Sequence, residues 1–273
     1  MAKKKSKKSR KQWRTAKSSD RHELYELSVQ EPSSEVDLID QVWKEQHTRR
    51  CGSIREDFCG TAAVCGEWVK RRKKNTAIGV DLDAEVLDWG RQRMQKRLNS
   101  DQRRRIQLIR DDVLTVQTER VDSVLAMNFS YYIFKTRDEL RGYFQRARDA
   151  LVDDGMLLID AYGGSDSFVE MEEERDLDGF TYIWDQHSYD PITGIAVNYI
   201  HFSFPDETEM RRAFTYKWRV WTLPEIRELL TEAGFRKVIV YWEGTDEETE
   251  EGNGEWSVAT RGEACPSWVA YLV

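Results

Sequence analysis

The sequence predicts an α/β protein: a mostly parallel sheet with helices on both faces and an antiparallel β meander inserted in its C-terminal half. Three observations predict it. From residue 33 to residue 160, short apolar runs alternate with amphipathic helical stretches. Those runs end on polar residues, as strands do where a parallel sheet meets its loops. From residue 179 to residue 221 the period changes from helical to two.

Each element has a local reason. Ser34 and Asp37 form a capping-box pattern, opening a helix through Val36, Leu38, Ile39 and Val42 to about Arg49. A strand is expected at 52–58 and a helix from Thr61 to about Lys73. A second strand at 76–82 precedes Asp83, which can cap a helix carrying Val86, Leu87 and Trp89. Ile106–Arg110 and 121–127 read as strands, ending at Asp111-Asp112 and at Asn128. Thr136 with Glu139 caps a helix through Leu140, Tyr143, Phe144 and Ala147. Asp154-Gly155 is a turn before the strand 156–160.

The stretches 179–190, 194–205 and 210–221 alternate, with Phe180, Tyr182 and Trp184 in the first and Phe214, Tyr216 and Trp218 in the third. Turn residues at 190–194 and 205–207 separate them. Thr222 and Glu225 cap a further helix that ends at Gly234. A strand at 237–242, an acidic loop from Gly244 to Glu255 and a last strand at 268–273 complete the chain.

At 273 residues the chain can bury a full core. No run of eighteen apolar residues occurs, so no membrane span is expected. No apolar stretch follows the first lysines, so a secretory signal is not expected either. Four cysteines, Cys51, Cys59, Cys65 and Cys265, show neither a disulfide framework nor zinc spacing, which suits a reducing cytoplasm and no metal. Residues 1–19 hold nine Lys or Arg and no acid, against a net charge of −7 for the chain. That segment reads as a flexible solubilising end or as a tether for nucleic acid. An acidic body opposes the second reading.

Ligands of an open parallel sheet bind beyond the carboxyl ends of its strands. Four such ends carry polar residues: Glu56 to Thr61, Asp81, Asp112 and Asn128. Gly60 lets backbone approach a ligand closely, and the helix after Thr61 aims amide donors at the same place. Asp81 lies about 20 residues beyond the glycine turn, the spacing of an acid that grips ribose hydroxyls. Asp112 can accept from an adenine amino group or serve its turn. Neither G-x-G-x-x-G nor G-x-x-x-x-G-K-[ST] occurs, so a pyrophosphate is not expected. An adenosine compound without phosphates fits, and S-adenosylmethionine is one.

On these residues the chain resembles the class I S-adenosylmethionine-dependent methyltransferases over about residues 33–273. The family's glycine-rich first motif matches Glu56-Asp57-Phe58-Cys59-Gly60-Thr61-Ala62, its ribose acid matches Asp81, its adenine acid Asp112 with Asp111 as the alternative, and its fourth-strand motif Asn128-Phe129-Ser130-Tyr131-Tyr132. The resemblance implies a Rossmann-like sheet of seven strands with the last one reversed. It implies residues 1–32 as a basic tail and lid, residues 33–273 as the methyltransferase domain, and a β-meander cap at about 177–221. It implies cofactor contacts from Glu56, Cys59, Gly60, Thr61, Asp81, Leu82, Asp112, Val113, Asn128 and Phe129. Substrate contacts are expected from Ser130, Tyr131, Tyr132, Trp184, Arg219 and Trp221.

The chain departs from the family where Phe58 and Ala62 replace the first and third glycines, and where Glu56 stands for the commoner Asp. Cys59 and Cys65 read as packing residues. The four histidines lie far apart in sequence, and His201 in the meander is a proton acceptor or simply a satisfied side chain. Direct methyl transfer to a small N or O acceptor is the expected activity. An RNA methyltransferase recruited by the basic tail and a non-catalytic scaffold are the alternatives.

Overall fold

The computed structural model describes residues 14–245 and 252–273. Most of the basic segment 1–19 and the centre of the acidic loop therefore lie outside the described residues. In chain order, the elements before the sheet's midpoint are α1 (Arg21–Ser28), α2 (Pro32–Gln46), β1 (Ser53–Asp57), α3 (Ala63–Arg71), β2 (Thr76–Asp81), α4 (Ala84–Arg97), α5 (Ser100–Arg104) and β3 (Ile106–Arg110). Then come β4 (Val121–Ala126), α6 (Arg137–Asp149), β5 (Leu151–Gly163), β6 (Met171–Leu177), β7 (Phe180–Asp190), β8 (Ile195–Ser203) and β9 (Glu209–Arg219). The chain ends with α7 (Leu223–Glu232), β10 (Val240–Thr245), β11 (Gly252–Ala259) and β12 (Trp268–Leu272).

The main sheet runs β11-β10-β12-β5-β4-β1-β2-β3. Strands β5, β4, β1, β2 and β3 are parallel, and β12 is reversed against both β5 and β10. Period-two alternation sorts the side chains onto two faces. Leu125, Met156 and Leu158 pack with α2 and α3, while Val124, Leu157 and Ile159 pack with α6 and α7.

The sheet has eight strands, where seven were expected. The extra one, β11, forms from a stretch read as acidic loop and pairs antiparallel with β10. Trp256 anchors it edge-on against Tyr271 at 4.4 Å, and a bulge between Glu243 and Thr245 absorbs the irregular glycines.

The inserted sheet has four strands, ordered β6-β7-β8-β9. It begins at Met171, earlier than the expected 177. Strand β6 escaped the sequence reading because Glu172, Glu173 and Glu174 are exposed acids on an edge strand, and such charges make an edge look like loop.

Other boundaries also moved. Helix α2 starts at Pro32, whose fixed φ suits the first turn, and its cap residue Glu31 makes no side-chain cap bond; the Ser34–Asp37 box is not used. The boxes at Thr136–Glu139 and Thr222–Glu225 are both fully formed. Gly234, at φ 95°, ends α7. Strand β5 starts at Leu151, and residues skipped between its pairings with Val121 and Ser123 hold the Asp154-Gly155 turn as an irregularity within it.

The folded part begins before residue 33. Asp20 caps α1 through the amides of His22 and Glu23. Leu24 is fully buried against Phe180, Ile200, Phe202 and Phe204 of the inserted sheet. No helix among the described residues is long and apolar enough to cross a membrane.

Candidate functional site

A cleft of about 530 Å³ lies between the tips of β1, β2 and β4, with α1 and β9 as its other walls. Its floor is the turn after β1. Phe58, Gly60 and Ala62 all take left-handed backbone, with φ of 56°, 52° and 55°. This explains why glycines suit these positions: L-residues pay about 1–2 kcal/mol for that conformation. The Ala62 amide donates to the Cys59 carbonyl at 2.7 Å, and the Cys59 amide to Val80 at 3.0 Å, so the turn is tied to β2. Phe58 keeps its place by packing on Tyr143 and Phe134, with ring centroids 5.6 and 6.2 Å away. Below it, Asp57 is buried and accepts from Arg55 and from the Tyr143 hydroxyl.

Asp81 ends β2. Its Oδ2 accepts from the Gly60 amide at 2.8 Å and its Oδ1 from the Asp83 amide at 2.9 Å. Burial raises its pKa, and the two amides oppose that shift. Each carboxylate oxygen keeps a further lone pair for a ligand.

The β4 tip is held differently. Asn128 and Phe129 are both left-handed, at φ 57°. Their amides donate to the Asp160 carboxylate at 2.7 and 2.8 Å. Burial pushes Asp160 up to about 7 despite those bonds. Ser130 Oγ donates to the Met127 carbonyl at 2.8 Å and tightens the same turn.

Helix α1 forms one side of the cleft. Glu26 accepts from Thr61 Oγ1 at 3.0 Å and from Arg93 and Arg97 at 3.1 and 3.2 Å. Tyr25 lies 4.9 Å from the Phe214 ring, and burial raises its pKa to about 12. His22 is buried beside Trp89 and Phe214. Burial, then Arg21, lowers its pKa, and its Nε2 has no hydrogen-bond partner among the described residues.

Of the residues singled out in the sequence, Cys59, Gly60, Thr61, Asp81, Asn128 and Ser130 line the cleft. The others do not. Glu56 is buried behind the turn, where its Oε2 accepts from the Cys65 amide at 3.0 Å. Burial raises it to about 7, although that bond opposes the shift. Leu82 points outward and is 60% exposed, and Val113 is core. Asp112 accepts from the Leu114 amide within its own turn. Phe129 packs on Tyr162 and Trp218.

Tyr131 and Tyr132 are wholly buried, their hydroxyls donating to the Asp160 and Trp221 carbonyls. Trp221 is buried and donates to Phe134. Arg219 is stacked on Trp221 at 3.8 Å and bonded to Lys135 and Glu225. Trp184 packs on Tyr216 and Trp218. These aromatics and Arg219 hold the inserted sheet onto the β4 tip.

The cleft's remaining wall lies outside the contact residues expected from the sequence. Tyr25, His22, Phe214, Tyr216 and Trp218 line it. The last three had a signal, since they alternate along β9 and so share a face. His22 and Tyr25 fall in the stretch 1–32, which the resemblance implies as a lid.

His201 lies on the inserted sheet and does not line the cleft. Its Nε2 faces Asp185 at 3.1 Å and its Nδ1 accepts from the Arg212 amide at 2.7 Å. Glu172, Asp185 and His201 have potential ligand atoms within 4.8 Å of one another. The Arg212 bond places the proton of neutral His201 on Nε2, so the group as it stands is a hydrogen-bonded pair.

No family model and no curated protein sequence matches this chain. Solved structures do match it. An S-adenosylmethionine-dependent methyltransferase from Clostridium acetobutylicum ATCC 824 superposes with a TM-score of 0.66 at 15% identity, over 92% of this chain and 96% of that one. An S-adenosylmethionine-bound amino pentose methyltransferase from Micromonospora echinaspora gives 0.63 at 15% identity, over 92% and 95%. A sugar N-methyltransferase from Streptoalloteichus sp ATCC 53650 gives 0.61 at 13% identity, over 93% and 92%. The chain therefore has the fold of S-adenosylmethionine-dependent methyltransferases, a Rossmann-like α/β body carrying an inserted antiparallel sheet.

Proposed function

We propose that this protein is a class I S-adenosylmethionine-dependent methyltransferase acting on a small-molecule nitrogen or oxygen acceptor. One observation carries the reading: Gly60, Asp81 and Asn128, each from a different strand tip, open onto one cleft that α1 also lines. The cleft suits the cofactor. Nothing lies within 4 Å of where a Cβ on Gly60 would stand, so backbone faces open space there. His22 Nε2 is an orphaned buried polar atom on the same wall. Similarity in fold to an amino pentose methyltransferase and a sugar N-methyltransferase supports a small acceptor.

When bound, S-adenosylmethionine supplies a methyl group already activated by its sulfonium. Asp81 would accept from the ribose hydroxyls and the Gly60 turn would lie against the methionine moiety. The β4 tip, held by Asp160, would set the acceptor's approach. Alignment and exclusion of water by α1, Phe214 and Tyr216 are then the protein's main contribution. The chemistry the cofactor would supply is donation of that methyl to the acceptor's lone pair, the sulfur leaving as a thioether and the acceptor's proton passing to solvent.

Calorimetry with S-adenosylmethionine tests the cofactor, and a methyl-transfer screen of amines, amino sugars and phenols read by product mass tests the activity. Absence of binding heat in the wild type would favour a scaffold that kept only the fold.

A further inference from the structure

Asn128 walls a second cavity. This one, of about 460 Å³, lies between the start of α2, the ends of β4 and β5, the edge strand β11 and the end of β12. Four carboxyl residues line it, Glu31, Glu35, Asp37 and Asp160, and no Lys, Arg or His does so among the described residues. The cofactor cleft, by contrast, carries Arg21, His22 and Arg212.

Glu35 is the residue that demands an explanation. It sits in the first turn of α2, is 9% exposed, and its Oε2 is buried with no hydrogen-bond partner among the described residues. Burial, then the nearby Glu56 and Asp160, raise its pKa to about 8. One oxygen of this carboxyl is left without a partner among like charges, and a cation beside it would offset the cost of ionising it there.

The shape of the cavity says what that is. Trp256 and Tyr271 supply two aromatic walls, 4.4 Å apart edge to face. The cavity's carboxylates do not converge within metal-ligand reach: the three-residue group that does so among the described residues is in the inserted sheet. Acids beside aromatic faces in a space this large suit an organic ammonium rather than a bare metal ion. Asp160 links the two cavities, since its carboxylate holds the amides of Asn128 and Phe129 and also lines this space.

We propose that this cavity is an ammonium-binding subsite beside the β4 tip that takes up the methyl acceptor's amine in its protonated form, with Glu35 as its counter-charge and as the base that takes the proton that must leave before the nitrogen lone pair is free, and Trp256 and Tyr271 as its walls. The word acceptor rests on the methyltransferase reading; the ammonium chemistry does not. A second source of the same group is the α-ammonium of S-adenosylmethionine itself.

The test uses the full chain and titrates benzylamine, benzyl alcohol, glucosamine and glucose by calorimetry, with and without saturating S-adenosylhomocysteine. S-adenosylmethionine is titrated separately. In the wild type at least one amine should bind more tightly than its alcohol counterpart. Glu35→Gln keeps the shape and should weaken that amine about tenfold or more, leaving S-adenosylmethionine unchanged. Ser34→Lys, at the exposed rim, should do the same by lending a tethered ammonium, and covers the case in which Glu35→Gln does not fold.

If S-adenosylmethionine instead loses about tenfold while the amines do not change, the subsite holds the cofactor's own ammonium. Amines that bind no better than the alcohols, or equally to wild type and both variants with S-adenosylmethionine also unchanged, would overturn the proposal. A wild type that binds amines but not S-adenosylmethionine would sink the methyltransferase reading and leave the subsite standing.

Discussion

The Gly60 amide and the Asp81 carboxylate meet at 2.8 Å. Two strand tips 21 residues apart in sequence are thereby drawn to one edge of the cleft, and a residue proposed to grip ribose also fixes the turn that would receive the methionine moiety.

Replacing Asp81 should therefore cost binding twice over. Asp81→Ala is expected to weaken S-adenosylmethionine by about 2–4 kcal/mol, the loss of hydrogen bonds to a charged acceptor. Asp81→Asn, which keeps one acceptor oxygen, should lose less. Calorimetry ranks the three proteins, and equal affinities would remove Asp81 from the site.

The left-handed turn predicts opposite effects for two small substitutions. Gly60→Ala places a methyl in the cleft and forces an L-residue to φ 52°, at about 1–2 kcal/mol of stability. Ala62→Gly relieves the same strain but removes a buried methyl worth about 0.8 kcal/mol. It should fall within about 1 kcal/mol of wild type. Chemical denaturation compares them, and a larger loss for Ala62→Gly than for Gly60→Ala would contradict this account.

Stability should fall as pH rises from about 4.5 to about 8. Glu35 and Glu56, ordinarily at 4.5, are raised by burial to about 8 and about 7, and Asp160 is raised from 3.8 to about 7. Folded chains then bind more protons than unfolded ones across that window, so the slope of stability against pH is negative there. Melting temperatures measured through the range check the sign. Glu56→Gln can still accept the Cys65 amide and should flatten the curve; an unchanged curve would show that Glu56 is not among its causes.

Glu26 joins α1 to Thr61, Arg93 and Arg97, with its side chain 8% exposed. Glu26→Ala should detach the N-terminal helix without unfolding the body. Hydrogen exchange across residues 21–28 should speed up while the central strands stay protected, and S-adenosylmethionine should bind more weakly. Unaltered exchange in α1 would mean that Leu24 and its apolar neighbours hold the helix unaided.

Local signals carried much of the fold. The Thr136 and Thr222 boxes, the Asp83 cap and the Gly234 stop appear in the structure where short-range chemistry placed them. Strands β6 and β11 were hidden because their acids and glycines oppose strand formation locally, and only pairing with β7 and β10 offsets that. The site divided in the same way. Cys59, Gly60, Thr61, Asp81 and Asn128 sit at strand ends, where alternation alone locates them. Tyr131, Tyr132 and Trp221 have the composition of a substrate pocket, yet their polar atoms are spent on backbone carbonyls.

By itself the sequence determined the βαβ order, the strand tips and the turn after β1, because helix caps, glycine turns and hydrophobic periods act within a few residues. Tertiary structure alone decided that β9 lines the cleft and that Glu35 and Asp160 share an acidic cavity. Those relationships join residues far apart in sequence, and burial and unpaired charge exist only once the chain has brought them together.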